Sequence, residues 1–454
     1  MIIFEDSAAL LKRYLSRSGL GQFAQVMVLR MVLAFIMHRG RMSCSSAAGA
    51  VACLSIHRGQ LTRFLAGRRW QRQDFNAVGR AMLLAKESGQ GRFLFIVDAT
   101  LVSQAGKKTQ NTYSTGNRQR RPRKGRRYNQ KKIARKNVHS FTFGLLITPS
   151  GYRLPFEIPH YTKEYCAKKG CKHRTTAEAA ADLIRELPLP EGADVVVLGD
   201  TAYDAEVVRK ACAERGYLWI FPANSERVYS GPKGERMKLR SRLKEWSKLS
   251  RRIIRFHAAT GKYTCYRRVS QWRVGPKRKP CVFHAYQERQ AVHNVGVVQL
   301  VFSTKKLNQT AVTSDDVKIL MSNALKLSVQ ELLELYSLRW QIELFFKELK
   351  STLGLAQYRF ENFQAVEGWV QTAITTVLFL ETQRAEGMNN RRATAESRAW
   401  WKRQRLHGLC AAFRQNCAGR ELKFMADRLK TPGGIAKLKH LLTAAIPKEF
   451  RLAS

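Results

Sequence analysis

Three carboxylates stand at positions from which they could act together on a phosphate ester. Asp98 closes the apolar run RFLFIVDA (92–99), and Asp200 closes a second one, ADVVVLGD (193–200). Glu343 lies in YSLRWQIELFFKELK (336–350), whose apolar spacing predicts a helix. Carboxylate oxygens are the ligands that Mg²⁺ prefers. Two such ions about 4 Å apart can activate a nucleophile and stabilise the leaving oxygen of a phosphoryl displacement.

The polar residues of the 336–350 stretch share one face of the predicted helix. At about 100° per residue, an arc of about 60° holds Tyr336, Arg339, Glu343 and Lys350. Lys347 lies beside that arc. The neighbouring face is apolar and holds Ile342, Phe345, Phe346 and Leu349. An ordinary amphipathic helix with spaced charge pairs would look the same, so other parts of the chain must decide.

The two aspartates can meet only if the strands that carry them are neighbours. The apolar run before Asp98 predicts a buried strand, and a hairpin is predicted from strands at 138–148 and 151–162 around Pro149-Ser150-Gly151. The remaining pattern predicts elements in the order helix 175–187, strand 193–200, helix 201–216 and strand 217–223. Further candidate strands lie at 252–258, 262–269, 280–286 and 294–303, and a helix is predicted from Phe363 to about Arg384.

The charge of the chain favours a polyanionic partner. Its 454 residues include 80 Lys plus Arg against 34 Asp plus Glu, a net charge of +46 spread over most of the length. Nucleic acid is the default partner for such a field. Membrane binding is the competing interpretation, but the best apolar run, 26–37, is interrupted by Arg30 and is too short to cross a bilayer. The first residues lack signal-peptide organisation, so we expect a cytosolic protein.

Two basic regions could contact DNA directly. Residues 8–85 are predicted to be helical, and 43–70 has the pattern of a helix-turn-helix with Arg58 and Arg63 on its second helix. Many small helical bundles share this pattern. The segment 107–136 is strongly basic and includes Arg118, Arg120, Arg121, Arg123, Lys124, Arg126 and Arg127. A solvated loop is the alternative there, but such a loop would lie close to phosphates if the neighbouring site handles DNA.

The nine cysteines are scattered and odd in number, which is typical of reduced thiols. Cys166, Cys171 and His173 could indicate zinc. The spacing lacks a second pair, so surface-loop residues are the preferred interpretation.

Taken together, these motifs resemble the DDE transposases with an RNase H-like core, specifically the insertion-sequence four family of bacterial cut-and-paste enzymes. That family has Tyr, two residues, Arg, three residues, Glu, six residues and Lys, and the matching positions here are Tyr336, Arg339, Glu343 and Lys350. The stretches FIVDAT and LGDTAYDA resemble its two Asp blocks. The resemblance covers roughly residues 90–385.

The resemblance implies that Asp98, Asp200 and Glu343 bind two Mg²⁺ ions, for which Mn²⁺ can substitute. It implies that Tyr336, Arg339 and Lys350, with Lys347 and Trp340 as further candidates, hold DNA near the cleavage point. The implied activity is cleavage at transposon ends followed by strand transfer into target DNA. Relatives cut through a hairpin with an aromatic residue stacked on a flipped base, and Trp246, Trp272 and Trp340 are candidates for that role. The implied partners are double-stranded DNA (inverted-repeat ends and target) and a second subunit in a homodimer, with no membrane. The implied location is the bacterial nucleoid.

We therefore predict an α/β protein with an RNase H-like mixed sheet core, a β-rich insertion and flanking helical regions. The predicted parts are a DNA-binding helical region (1–88), the first part of the core (89–224), the insertion (225–310), the final core helix (311–360) and a C-terminal helical region that could pair subunits (361–454). Two alternatives remain: an RNase H-like nuclease without strand transfer, and a catalytically silent DNA-binding protein descended from a transposase.

Overall fold

Helices precede the sheet. The computed structural model describes residues 5–38, 40–50, 57–67, 74–87, 90–104, 106, 108–115, 136–231, 234–244, 249, 251–256, 281–306 and 312–436. The helices before the first strand are α1 (Glu5–Leu15), α2 (Gln22–Met37), α3 (Cys44–Ala50), α4 (Arg58–Ala66) and α5 (Asn76–Leu84). The apolar run 26–37 belongs to α2, which is largely buried. Over the described ranges, no helix combines the length and the apolar character needed to span a bilayer.

The first part of the sheet follows the predicted order of elements, with one strand (Tyr113–Thr115) and one helix (Lys163–Lys169) that were not predicted. Its strands and helices are β1 (Phe93–Gln104), β2 (Tyr113–Thr115), β3 (Lys136–Ile147), β4 (Arg153–Pro159), α6 (Lys163–Lys169), α7 (Thr176–Arg185), β5 (Val195–Leu198), α8 (Glu206–Glu214) and β6 (Leu218–Pro222). The predicted hairpin is confirmed, because β3 and β4 pair antiparallel on either side of the turn at 148–152. The predicted helix 201–216 is interrupted. A 3₁₀ turn, Thr201–Tyr203, comes first because the Asp200 side chain caps it, and α8 begins only at Glu206.

The second part of the sheet adds six strands with one α-helix among them, and α-helices follow the last of these strands in the described residues. These elements are β7 (Val228–Ser230), β8 (Arg236–Lys238), α9 (Leu239–Lys244), β9 (Arg252–Phe256), β10 (Cys281–Val292), β11 (Gly296–Thr304), β12 (Lys318–Ser322), α10 (Val329–Ser337), α11 (Trp340–Thr352), α12 (Phe363–Asn389), α13 (Ala395–Arg403) and α14 (Leu406–Leu429). The strands predicted at 252–258, 280–286 and 294–303 are confirmed as β9, β10 and β11. The strand predicted at 262–269 lies outside the described residues.

All twelve described strands belong to one mixed sheet. The main order is β2-β3-β1-β5-β6-β12-β11-β10-β7-β8, with β4 paired to β3 and β9 to β10. The run β4-β3-β1-β5-β6 contains three consecutive antiparallel strands and then two strands parallel to β1, which is an RNase H-like arrangement. The predicted α/β class is therefore confirmed. The strands β7–β11 continue this same sheet beyond β12.

A buried network of ions fixes α11 against the rest of the fold. Arg153 on β4 contacts Glu381 of α12 at 2.6 Å and Glu348 of α11 at 3.2 Å. Arg384 of α12 contacts Glu381 at 2.5 Å, and Arg405 contacts Glu348 at 3.2 Å. Burial opposes ionisation of Glu381, but the two arginines outweigh it and lower the pKa of this carboxyl. The network therefore ties β4, α11, α12 and the start of α14 together.

His160, directly after β4, predicts a pH dependence of stability. Its ring nitrogens contact the hydroxyls of Ser140 and Thr142, and the residue is buried. Burial, with a smaller contribution from His173, lowers the pKa of His160 to about 4. The unfolded chain binds the extra proton from about pH 6.5 downward, so the stabilisation is complete above that pH and is lost as the pH falls towards 4.

Acidification from pH 6.5 to 4 should lower the free energy of unfolding of wild type by about 3 kcal/mol more than that of His160→Gln, because the variant lacks this proton linkage. Urea unfolding at a series of pH values measures the difference. The exposed His407 is the control site, and His407→Gln should leave the wild-type pH profile in place. Parallel profiles for wild type and His160→Gln would contradict the prediction.

Candidate active site

Asp98 and Asp200 lie on neighbouring parallel strands at matching heights. The pairing of β1 with β5 ends at Ile96 opposite Leu198. Asp98 and Asp200 each lie two residues beyond this last pair, on their own chain segment. The prediction that Asp98 ends its strand is wrong. β5 stops at Leu198, but β1 continues to Gln104 because its ladder with β3 continues on the other side. Asp98 therefore lies where β1 loses one of its two neighbours.

Glu343 comes from the first turn of α11, next to a break in the predicted helix. The prediction of one helix through 336–350 is wrong, because α10 ends at Ser337 and α11 begins at Trp340. At the junction the backbone bonds tighten to a spacing of three residues, as in Arg339 N–H to the Tyr336 carbonyl at 3.1 Å. The apolar face predicted for this region is confirmed, since Ile342, Phe345, Phe346 and Leu349 are buried.

Arg339, at the junction, bridges two of the three predicted carboxylates. Its guanidinium donates to Glu343 Oε1 at 2.5 Å and lies 3.6 Å from Asp98 Oδ2. Asp200 is close enough to interact electrostatically with Asp98. Burial, together with the charges of Asp200 and Glu343, raises the pKa of Asp98 to about 6, against the opposing effects of the Ala99 N–H and Arg339. The three acids therefore share one electrostatic environment.

The three carboxylates fit a divalent cation by donor type and charge. They supply hard oxygen ligands, and their mutual repulsion is what a bound cation would relieve. Their spacing is looser than a metal centre requires. Within the described ranges, no three Asp, Glu, His or Cys side chains are grouped closely enough to hold an ion. Cys166, Cys171 and His173 likewise form no such group. The prediction that they are surface-loop residues is wrong for Cys166, which is buried in α6. In this arrangement the guanidinium of Arg339 supplies the positive charge between Asp98 and Glu343.

The other polar residues of 336–350 lie at the end of α10 or along α11. Tyr336 lies in the last turn of α10, close to Arg339, and burial raises its phenol pKa to about 12. Lys350, two turns beyond Glu343, donates to the Leu101 carbonyl at 3.1 Å. Lys347 is exposed on α11. Trp340 is 53% exposed, so its ring faces solvent at the start of this helix.

Lys318 is a residue of this centre that the sequence patterns did not indicate. It begins β12, and its ammonium lies 4.7 Å from the centre of the Tyr336 ring. Burial lowers the pKa of Lys318, as do Arg339 and Lys305, while Asp200 and Glu343 act in the opposite direction. Its only sequence signal is a cation at the start of an apolar run, which is too common to select it. Pairing of β12 with β6 brings it to the carboxylates.

The other predicted DNA contacts lie on α4 or outside the described residues. Arg58 and Arg63 are exposed on α4, which packs against α3. The residues 51–56 between these helices are not among the described ones. The basic residues Arg121, Arg123 and Lys124 also lie outside the described ranges, as do Trp246 and Trp272.

Comparison with known families points to the same class as the site. Residues 165–379 match a family model described as "Transposase DDE domain". The match spans a little under half of the chain and includes Asp200 and Glu343, whereas Asp98 precedes it. No curated protein matches the chain. The match supports a DDE transposase and, with it, an enzyme that acts on DNA.

Proposed function

We propose that this protein is a cut-and-paste transposase of the insertion-sequence four type. It would cleave DNA at the inverted-repeat ends of a mobile element and join the freed ends to target DNA. The observation that carries the proposal is the contact of Arg339 with both Asp98 and Glu343, together with Asp200, which interacts electrostatically with Asp98 from beyond the end of the neighbouring strand β5. The DDE family match over 165–379 supports the same class.

The three carboxylates would hold two Mg²⁺ ions, or Mn²⁺ in their place. When bound, such ions supply an activated nucleophile and stabilisation of the leaving oxygen. The nearby cations would orient the DNA. Arg339 is a bidentate donor, and a phosphate of bound DNA would compete with Glu343 and Asp98 for it. Transfer of Arg339 to the phosphate would leave both carboxylates without their present ion-pair partner, and this transfer would couple DNA binding to assembly of the site.

The remaining cations and aromatic groups would extend the DNA contact along α11. Lys350 and Lys347 lie one to two turns beyond Glu343, and Lys318 and Tyr336 flank Arg339 on the other side. Exposed Trp340 is the described candidate for stacking on an unpaired base. We propose the bacterial nucleoid as the place of action, because the substrate is chromosomal DNA.

The larger organisation belongs to the same proposal. The helices within 1–88 would bind the inverted repeats, and 89–224 with 311–360 would form the catalytic core around the 225–310 insertion. The region 361–454 would pair two subunits on DNA ends. A homodimer would allow both ends of an element to be cut and inserted together.

A cleavage assay with the DNA that flanks the gene tests this proposal. The full-length protein is incubated with labelled duplex and Mg²⁺, and the products are mapped at nucleotide resolution. Cutting at discrete inverted-repeat ends, followed by joining to a supercoiled target, is the expected result. Cutting without joining would favour the nuclease alternative. If the folded protein binds intact DNA tightly but does not cut it, the result would favour the silent DNA-binding alternative.

A further inference from the structure

A basic cleft separates the N-terminal helices from the loop after α11. Its volume is about 400 Å³, and its wall carries three arginines from distant parts of the chain: Arg41 before α3, Arg58 at the start of α4 and Arg359 after α11. Ser43, Ser45 and Thr62 also line it, and the Thr62 hydroxyl donates to the Arg58 carbonyl at 3.1 Å. The lining thus combines guanidinium groups with serine side chains, two kinds of group that contact phosphate.

The positive charge of this cleft is not balanced by the protein. Across the described part of the chain, none of the three guanidinium groups lies within 4 Å of a carboxylate. Arg359 donates a hydrogen bond to the Tyr358 carbonyl at 2.9 Å. All three arginines are exposed, so most of their donors face the cleft or solvent. Three like charges facing one space repel each other, and an anion would relieve that repulsion.

Both walls of the cleft are held in place. The Met42 N–H donates to the side chain of Gln357, which joins the segment before α3 to the loop after α11. Gly354 lies so close to this segment that an added Cβ would be 2.4 Å from the Met42 Cβ. In the same loop, the Tyr358 hydroxyl contacts His139 Nδ1 at 3.0 Å. The arginines therefore project from a preformed surface rather than from free ends.

We infer that this cleft binds a backbone phosphate of the duplex DNA that the active site cleaves. The inference rests on the proposed function for the identity of the DNA. A phosphate here would be contacted from both sides, by the N-terminal helices through Arg41 and Arg58 and by the loop that continues α11 through Arg359. Helix α11 carries Glu343, so one DNA molecule would link the helix-turn-helix region directly to the catalytic helix. The contact is to the backbone and carries no base specificity.

Salt-dependent DNA binding by full-length variants tests the inference without any need for cleavage. Anisotropy of a labelled duplex is measured over a range of salt concentrations, in the absence of divalent metal, for wild type, Arg359→Gln and Arg41→Gln. Each variant should bind about tenfold more weakly, and the slope of log affinity against log salt should fall by about one. Arg359→Lys should keep the slope because it keeps the charge. Arg420→Gln, at an exposed position of α14, is the charge-matched control and should behave as wild type.

The outcomes separate this inference from the proposed function. Equal affinity and slope for Arg359→Gln, Arg41→Gln and the control would overturn the inference, even if wild type cleaves DNA. Weakened binding by the cleft variants would support it, even if wild type never cleaves and the proposed activity fails. Absence of duplex binding by wild type would overturn both. Thermal unfolding of each variant confirms that a loss of binding is not a loss of folding.

Discussion

Glu343→Gln should lower the rate of Mg²⁺-dependent DNA cleavage at least a hundredfold, while DNA affinity stays within a few-fold of wild type. Changes to residues that only support metal ligands already cost about 10- to 100-fold, and Glu343 is proposed as a ligand itself. The substitution removes one of three negative charges and keeps the shape of the side chain. Arg339 keeps an acceptor at position 343 but loses the negative charge there, so the guanidinium remains available to a DNA phosphate. Single-turnover cleavage and metal-free binding, measured on the same duplex, give the two quantities.

The matched control for this experiment is Glu361→Gln. Glu361 is exposed beyond the end of α11, and its substitution removes the same charge without touching the carboxylate centre. Cleavage by this control should equal that of wild type, whereas Asp98→Asn and Asp200→Asn should share the defect of Glu343→Gln. Normal cleavage by Glu343→Gln would remove Glu343 from the site. A parallel loss of DNA binding in that variant would instead indicate that the helix, and not the chemistry, had been damaged.

Local sequence patterns predicted many elements of the fold, because most helices and strands bury one apolar face. The continuous apolar runs before Asp98 and Asp200 predict buried strands, and both runs became strands of the central sheet. Their ends were predicted less well. The end of a strand depends on how far its neighbours reach, and β1 continues to Gln104 because β3 does. No periodicity within residues 92–99 contains that information.

The break between α10 and α11 shows a second limit of the sequence patterns. Leu338 and Arg339 keep nearly helical backbone angles, and neither glycine nor proline marks the junction. The break shows only in the hydrogen bonds, which tighten there to a spacing of three residues. The spacing of Tyr336, Arg339 and Glu343 nevertheless indicated residues that lie near each other, because residues three or four positions apart stay close in a tight turn as they do in a helix. Lys318 could not be found this way, because strand pairing alone brings it to the site.

Long-range ion pairs are invisible to local patterns for the same reason. Arg153 lies 228 residues before Glu381 along the chain, yet the two form one buried cluster with Arg384 and Glu348. Each of them alone resembles a surface charge on a strand or helix. These charges contribute to stability because they are buried together, and only the three-dimensional structure shows that burial.

Glu381→Gln is expected to lower the free energy of unfolding by about 3–5 kcal/mol, the typical cost of removing one partner from a buried ion pair. Glu381 is fully buried and is the partner of both Arg153 and Arg384, so its neutralisation leaves two buried guanidinium groups undercompensated. The lowered pKa of Glu381 determines how its contribution to the free energy of unfolding depends on pH. Its stabilisation is present above about pH 4.3, the ordinary value for glutamate, and is lost as the pH falls below it. The gap between wild type and variant should therefore narrow in acid.

Urea unfolding of Glu381→Gln and Glu386→Gln measures this effect against a control on the same helix. Glu386 is exposed and pairs with Lys86 at 3.6 Å, so its substitution should cost less than about 1 kcal/mol. Equal stability of the two variants would mean that solvent or repacking compensates the buried arginines. Because Glu348 of α11 belongs to the same cluster, the Glu381 variant should also cleave DNA more slowly at temperatures where it remains folded. A destabilised variant with wild-type cleavage would show that α11 is positioned without the ion network.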